Sequence, residues 1–578
     1  MSRKPARKKQ APSRQQQQEA AARRRAPAPA AVTRRAQESG EAGSRTGTAT
    51  VTGQETAASS GEVRHYLDVS AVRIQEWLAR TPDLRLRRGA SVLLSEATGR
   101  DAWPDKSLPP GMNWNDQAGD LDGVVSLVVA DTVAEADIGG CLAAAAREIA
   151  AELRRAMPQC PVQAVTGKGD SYAAAYQEID RARRDGDLLV DAPPAPAEVI
   201  LAKPCDDCRS APATRGGIEI AGRDSPAGLC EDCLARSEAA GGTKGDRPRR
   251  SPGPERRMRA ALAQAHTTVT GFPDDFRQLA QAGARDGDDA ATQLGLVYAD
   301  GNRVGAFLSE AAACARTHGT PAKAEIVPAL DDSTLAALAD AIMACLPRSG
   351  RPPVLAHLAG GDDLMVSVPA GYAWPFVREL LRAFGNRIGA KAAGWPEPVR
   401  ERLPSLSAGL VFHHQSAPFS DVVRLAKEQL DAAKRATRGC APSVAFLDLT
   451  ADGGHSPAGR APWTLEHLDG GAGRLDEIAL IPRSHRETLV ALHRLSTENT
   501  GAAERDNAAE SPAQALARRV IDLGYPPLWE AVAGAGATPD AVRTALDSGP
   551  GSRDELRRIL DLARWWPPGE PAGERIPA

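Results

Sequence analysis

No run in the 578 residues comes near the ~20 consecutive apolar residues that a helix needs to cross a bilayer. Nor does an apolar segment follow the basic residues at the N-terminus, so a secretion signal is not expected, and a cytoplasmic chain without membrane contact is. Charge of one sign does not dominate: 71 Lys and Arg face 74 Asp and Glu, for a net charge of -3. That balance excludes a chain that binds nucleic acid through overall positive charge. Large apolar residues are nearly missing from residues 1–61, which are rich in Arg, Lys, Gln, Ala, Pro and Ser. Such a stretch buries too little surface to offset its ordering entropy, and a disordered basic tail is expected. Its runs at Arg7–Lys9 and Arg23–Arg25 suit either contact with RNA or DNA or simple solvation. The nine cysteines are odd in number, and only four stand in C-x-x-C pairs. That pattern suits a reducing compartment and a metal better than a disulfide framework.

At roughly 100–200 residues per domain the length allows three or four domains. Order is expected from about residue 62. Over 62–203 short apolar strands (Tyr66–Val69, Asp122–Val129, Val162–Val165) alternate with amphipathic helices, the longest over Cys141–Met157. A cysteine module follows at 204–236, then a Gly-, Arg- and Pro-rich linker at 237–257. A second α/β block spans 258–450, with strands at Leu294–Ala299, Val354–Leu358, Leu364–Val368 and Leu406–Val411. Helices are expected there at Leu335–Cys345, Trp374–Phe384 and Phe419–Ala436. Residues 451–578 open with a Gly/Pro-rich stretch and then read as a helical bundle. No close internal repeat is visible, although two α/β blocks in one chain leave room for an old duplication.

Three segments carry chemistry. In the first, two apolar strands flank Gly360–Gly361–Asp362–Asp363. Glycines permit positive φ and close approach at a hairpin tip. Adjacent carboxylates there repel each other unless a divalent cation such as Mg²⁺ neutralises them. An exposed turn uses the same residue types, so the motif alone does not decide. The second segment, Leu294–Gly305, is a strand that ends in Asp300–Gly301–Asn302 and enters a helix. A strand-end carboxylate beside an acidic hairpin is the layout of paired-metal phosphoryl-transfer sites. Amides at the helix start, from Gly301 to Gly305, suit phosphate oxygens. In the third, Ser407 and Gly409 lie in an apolar strand, where small residues make room for a ligand or a neighbouring backbone. The following helix ends at Lys434, placed to meet a triphosphate or to serve as a helix-end cation. His413 and His414 read as strand-end polar residues. Separately, Cys205, Cys208, Cys230 and Cys233 have the paired spacing of a closed, structural four-thiolate Zn²⁺ site.

Taken together, Arg88–Gly89–Ala90–Ser91, the cysteine pairs, Tyr298–Asn302, the Gly–Gly–Asp–Asp turn and the Ser407–Gly409 strand leading to Lys434 resemble the large subunit of type III CRISPR effector complexes, the Cas-ten family. The resemblance covers about 62–450 well and the tail loosely. It implies an α+β chain of two ferredoxin-like palm domains related to GGDEF and nucleotidyl cyclases. The first, divergent palm would be 62–203 and the second 258–450, with a zinc insert and a C-terminal helical domain. It implies conversion of ATP to cyclic oligoadenylates in antiviral defence, alongside guide RNA and target RNA. Asp300, Asp362 and Asp363 would be catalytic and hold Mg²⁺ or Mn²⁺. Ser91, Gly301, Asn302, Gly305, Gly360, Gly361, Ser407, Gly409 and Lys434 would contact nucleotide, and the first palm would hold a second ATP but no metal. The HD nuclease domain common in the family is not expected, since no histidine here is followed directly by aspartate. A GGDEF-like dinucleotide synthase and a non-catalytic RNA-binding scaffold are the alternatives.

Overall fold

The computed structural model describes residues 63–100, 108–118, 123–194, 202–220, 225–240, 253–265, 275–282, 292–318, 323–346, 351–454, 460–498 and 511–567, with isolated residues between them. The expected basic tail lies outside the described residues, as does most of the expected linker. No helix among those described is long and apolar enough to cross a membrane.

The first block is a five-stranded antiparallel sheet ordered β2-β3-β1-β4-β5. Its strands are β1 (Arg64–Ala71), β2 (Met112–Trp114), β3 (Val124–Val129), β4 (Val162–Gly169) and β5 (Val190–Ala192). Helices α1 (Ile74–Ala79) and α2 (Leu84–Thr98) follow β1, α3 (Ile138–Ala156) follows β3, and α4 (Tyr172–Asp185) follows β4. Strand alternation divides β1 between two cores. Leu67 and Val69 pack with Trp77, Leu142 and Ile149, and Tyr66 packs on the other side with Tyr172, Ala175 and Ile179.

The cysteine module contributes the short hairpin β6 (Arg215–Ile218) and β7 (Ala227–Leu229) and then α5 (Glu231–Ala239). It is docked on the first block. Arg236 is fully buried and pairs with Asp232 at 2.9 Å. Asp232 accepts from Trp77 Nε1 at 3.0 Å, and the Arg236 guanidinium lies 4.5 Å from the Trp77 ring. At Gly89 a Cβ would sit 1.9 Å from the Arg236 carbonyl oxygen, so α2 and α5 cross at a distance only glycine allows.

After α6 (Gly253–Gln264), the second block repeats the order of the first. Its strands are β8 (Gln293–Gly301), β9 (Leu355–Gly360), β10 (Asp363–Pro369), β11 (Leu406–His414), β12 (Ser443–Asp448) and β13 (Trp463–Thr464). Its main helices are α7 (Val304–His318), α8 (Lys323–Ala344), α9 (Ala373–Lys391) and α10 (Phe419–Thr437). The sheet runs β9-β10-β8-β11-β12-β13, with only β11 and β12 parallel. In both blocks the first four strands, taken in chain order, lie second-third-first-fourth, the split βαβ arrangement of ferredoxin-like folds. The likeness reaches single residues. Arg73 and Arg303 have φ of 52° and 56°, and each directly precedes the helix that follows the first strand of its block.

β8 is central and buried on both faces from Leu294 to Ala299, which explains its unbroken apolar run. Amphipathic α10 lies along one face of the sheet, with Val422, Leu425, Ala426 and Leu430 against Leu296, Tyr298 and Val411. It comes this close because Gly409 has no side chain: a Cβ there would lie 2.0 Å from the Ala426 oxygen and 2.5 Å from the Leu430 nitrogen. Backbone atoms cannot move aside cheaply, so Gly409→Ala is expected to cost about 1–3 kcal/mol by overpacking. A lowered midpoint in a denaturant titration would show this, and an unchanged midpoint would remove that reading of the crossing.

The C-terminal residues form α11 (Leu449–Asp452), α12 (Leu465–Ala479), α13 (Arg483–Glu498), α14 (Pro512–Leu523), α15 (Pro526–Ala533), α16 (Pro539–Ser548) and α17 (Pro550–Ala563). They share one core with the second sheet. Trp565 stacks on Phe412 at 5.5 Å, and its Nε1 donates to Asp448 at 2.7 Å.

Candidate functional site

The turn between β9 and β10 emerges at the junction of the two blocks. Gly361 sits at its tip with φ of 62°. Helix α8 holds the turn through backbone contacts: the Gly361 amide donates to Asp331 at 2.7 Å, and Thr334 Oγ1 donates to the Gly361 carbonyl at 2.7 Å. Asp331 is itself paired with Arg257 of α6. The turn is therefore anchored from behind by groups that leave its two carboxylates free to face forward.

Register brings the third acid to them. Leu364 pairs with Ala299 and Asp363 follows at the same end, beside Asp300. Asp300 in turn pairs with Ser407 of β11. Lys434, one turn beyond the Leu430 contact on α10, forms an ion pair with Asp300 and donates to the Gly301 carbonyl at 2.8 Å. From the first block, Gln75 of α1 donates to Asp363 Oδ2 at 2.8 Å.

The electrostatics are those of carboxylates crowded without enough cation. Burial, then the neighbouring Asp300 charge, raises Asp362 to about 6. The same two causes push Asp363 well above the usual carboxylate range. Burial also raises the Tyr298 hydroxyl, with Asp363 and Asp300 adding to it. The three aspartates are less tightly gathered than the cysteines. Among the described residues, only Cys205, Cys208, Cys230 and Cys233 form a group of three or more possible ligands with all ligand atoms within 4.8 Å. The donor set is all oxygen and electrostatically under-neutralised, which fits Mg²⁺ or Mn²⁺.

Two cavities open on either side of the turn, of about 160 and 210 Å³. The first is shared by Asp68, Tyr172 and Arg183 of the first block with Val304, Gly361 and Asp362. The second is shared by Gln75, Ser91 and Leu94 with Arg257, Asp331 and the turn from Gly360 to Asp363. In the first cavity Asp68, buried, accepts from Tyr172 at 2.8 Å and Ser126 at 2.6 Å and pairs with Arg183 at 3.1 Å. Among the described residues, the first block carries no counterpart of Asp300 and Asp363. Its β1 has Ser70 paired with Val124 where the second block places Asp300 and Asp363.

The other expected site residues divide. Gly301 is needed beside the acids, because a Cβ there would lie 2.6 Å from Asp362 Oδ2. Gly305 opens on free space at the start of α7. Ser91 lines the second cavity but is buried, its hydroxyl donating to the His357 carbonyl at 3.2 Å. Three residues expected to contact nucleotide lie in the packed interior. Ser407 is fully buried and its hydroxyl lies 2.9 Å from that of Ser443, under α10. Gly409 makes room for the α10 backbone rather than for a ligand. Asn302 is buried and ties the end of β8 to Ser405 at 2.8 Å and to the Ala441 carbonyl at 3.3 Å. His413 lies at the end of β11, as expected of a strand-end polar residue, and is fully buried.

Gln75, Asp331, Thr334 and Arg257 were not singled out by sequence reasoning. The first reaches the site from another block, and the others sit in helices whose pattern signals only amphipathicity. Gly301 gives a direct test of how finely Asp362 is positioned. Gly301→Ala is expected to displace that carboxylate and lower Mn²⁺ affinity and nucleotide chemistry by about 10-fold or more. Titration with Mn²⁺ would check it, and unchanged affinity would show that Asp362 is not held by this contact.

In the cysteine module, three of the four sulfurs are buried and Cys208 is half-buried. Cys208 and Cys230 stand 3.8 Å apart, far beyond a disulfide bond. That separation matches the edge, about 3.8 Å, of a tetrahedron with Zn–S bonds of about 2.3 Å. The cluster is consistent with structural zinc.

An antiparallel βαββαβ sheet with carboxylates at the mouth of its first and third strands defines a palm-type domain. Residues 293–440 match the family described as Cas10/Cmr2, second palm domain. No curated protein matches the chain by sequence. Among solved structures, a Csm1–Csm4 cassette in complex with cA4 is 15% identical over 87% of this chain and 70% of that chain, with a TM-score of 0.49. The apo Csm1–Csm4 cassette is 13% identical over 90% and 72%, with a TM-score of 0.46. The Csm1–Csm4 subcomplex of the type III-A CRISPR-Csm interference complex is 13% identical over 87% and 69%, with a TM-score of 0.45.

Proposed function

We propose that this chain is a divalent-metal-dependent nucleotidyltransferase that joins ATP into linear or cyclic oligoadenylates, working in CRISPR-type defence and switched on by target RNA. The observation that carries the reading is that Asp362 lines both cavities at the junction of the blocks. A group held there faces two nucleotides at once, as polymerisation or cyclisation requires. The first block then acts as a divergent palm, supplying Gln75, Tyr172 and Arg183 to binding. Two nucleotide sites within one chain remove the need for the symmetric dimer of a GGDEF-like dinucleotide synthase.

Asp300, Asp362 and Asp363 would hold Mg²⁺ or Mn²⁺, which when bound favours ionisation of a ribose hydroxyl and offsets charge on a departing pyrophosphate. The residues around them orient the reactants. Gln75 fixes one oxygen of Asp363 and so joins the first block to the acidic turn. Lys434 is held beside Asp300 and Gly301, where phosphate oxygens compete for its ammonium group. Amides at the start of α7, by Gly305, face outward and accept anions. The new bond joins ribose oxygen to α-phosphorus, the bond to pyrophosphate breaks, and the hydroxyl proton leaves to solvent.

The test is incubation of the purified chain with each labelled nucleotide and Mn²⁺, with and without guide and target RNA, followed by mass spectrometry. Adenylate oligomers with release of pyrophosphate are expected from ATP. No product from any nucleotide, with metal bound at the turn, would leave the chain a non-catalytic RNA-binding subunit.

A further inference from the structure

The C-terminal helices enclose a cavity that has no part in the chemistry above. It measures about 250 Å³ and lies where α11, α13 and α17 meet. Five arginines line it (Arg483, Arg486, Arg494, Arg557 and Arg564) against two carboxylates, Glu487 and Asp561.

The arginines are not equally neutralised. Arg483 pairs with Glu487, Arg557 with Asp561 and Arg564 with Asp448. Half-buried Arg486 bonds only main-chain oxygens, those of Ile481 at 3.0 Å and of Ala563. Arg494, on the exposed rim, donates to the Ala451 carbonyl at 3.0 Å. These two guanidiniums carry charge that no carboxylate in hydrogen-bond contact offsets. Burial makes Arg486 a weaker base than usual, with the Arg483 charge adding to the effect and Glu487 opposing it. The carbonyls that hold Arg486 end α12 and α17, so the fold fixes its fork in place before any ligand arrives.

We propose that this cavity is a second anion site, which binds phosphate groups through the forks of Arg486 and Arg494. The lining has no aromatic ring on which a base could stack. Phosphate geometry matches paired guanidinium forks. Two sources offer that chemistry: the backbone of a nucleic acid strand, and the free polyphosphate tail of a nucleotide or released pyrophosphate. The site is separate from the acidic turn, and its readout needs no catalysis.

Phenylglyoxal modification of the full chain, followed by peptide mass spectrometry, reads the site locally. The probes are a short single-stranded oligoribonucleotide and inorganic triphosphate. Each true occupant is expected to slow modification of Arg486 and Arg494 together, while exposed Arg424, paired with Glu428, is unchanged. Protection by the oligoribonucleotide alone assigns the site to a strand, and by triphosphate alone to free polyphosphate. Protection by both assigns it to the phosphate group itself. In Arg494→Glu, a rim variant that gives up only one carbonyl bond, protection of Arg486 should be lost. The slope of log affinity against log salt for the protecting probe should become shallower by about 1. Protection by neither probe in the unaltered chain, or undiminished protection of Arg486 in Arg494→Glu, would overturn the proposal.

Discussion

Replacing both Asp362 and Asp363 by Ala is expected to abolish nucleotide joining, a loss of about 10³-fold or more, while leaving the melting temperature unchanged or slightly raised. The two outcomes have one cause. The carboxylates are raised in pKa by burial and by Asp300, so in the metal-free chain their ionised forms are held at a cost. Anchoring of the turn runs through the main chain of Gly361 to Asp331 and Thr334, and the substitutions leave those bonds in place. A turn with a merely structural role predicts the reverse, with changed stability and intact chemistry. Melting and product formation from ATP, measured side by side on both proteins, decide between them. Full product formation by the double variant would remove this turn from the active site.

The same shifts give a pH dependence with a definite sign. An acid whose folded pKa lies above its unfolded value binds more protons in the folded state. Its contribution to stability is complete below the unfolded value near 3.8 and is lost as pH rises through the folded value, about 6 for Asp362. Without metal, stability of the unaltered chain should therefore fall between about pH 4 and 6 relative to the double variant. Added Mn²⁺ should narrow the difference, since a bound cation stabilises the ionised forms.

The second large effect is expected at the cysteine cluster. Cys205→Ser, or removal of metal by a strong chelator, should collapse the yield of soluble folded chain instead of slowing an otherwise intact enzyme. Structural zinc sites contribute on the order of 10 kcal/mol in isolated modules, and a loss of even part of that exceeds the margin of most domains. Damage should spread to the first block, because α5 is locked on it by the buried Arg236–Asp232 pair and by the crossing at Gly89. About one zinc per chain is expected by elemental analysis of protein purified without chelator. Absence of zinc in folded, active protein would refute the assignment.

How far the sequence carried can be judged from particular elements. β8 and the β9–β10 hairpin were readable because their runs are apolar, short and bounded by Gly and Asp. α12 was not, because Gly470, Gly471 and Gly473 gave its segment the look of a loop. Each glycine costs a helix about 1 kcal/mol, and burial of Leu468, Leu475 and Ile478 overrides that cost. α15 was not singled out within the expected bundle; Pro526 and Pro527 stand in its first turn, a place to which proline is well suited. Arg88–Gly89–Ala90–Ser91 stood out as part of the family resemblance, with Ser91 expected to contact nucleotide. The fold makes it a joint: Arg88 pairs with Glu255, Gly89 admits α5, and Ser91 bonds β9 of the second block.

By itself the sequence determined which groups exist and where each lies along its strand or helix. Acids stand at the end of one strand and the tip of one hairpin, four thiols stand in paired spacing, and a lysine ends a helix. These follow from local periodicity and turn chemistry, which act over a few residues. Only the tertiary structure decided who meets whom. Antiparallel register set Asp363 beside Asp300, and the absence of a side chain at Gly409 brought α10 and Lys434 to them. Packing of the two blocks put Gln75 on Asp363 and opened a cavity on each side of Asp362. Contacts of this kind join residues separated by hundreds of positions and arise from the shape of packed surfaces, which a one-dimensional pattern does not encode.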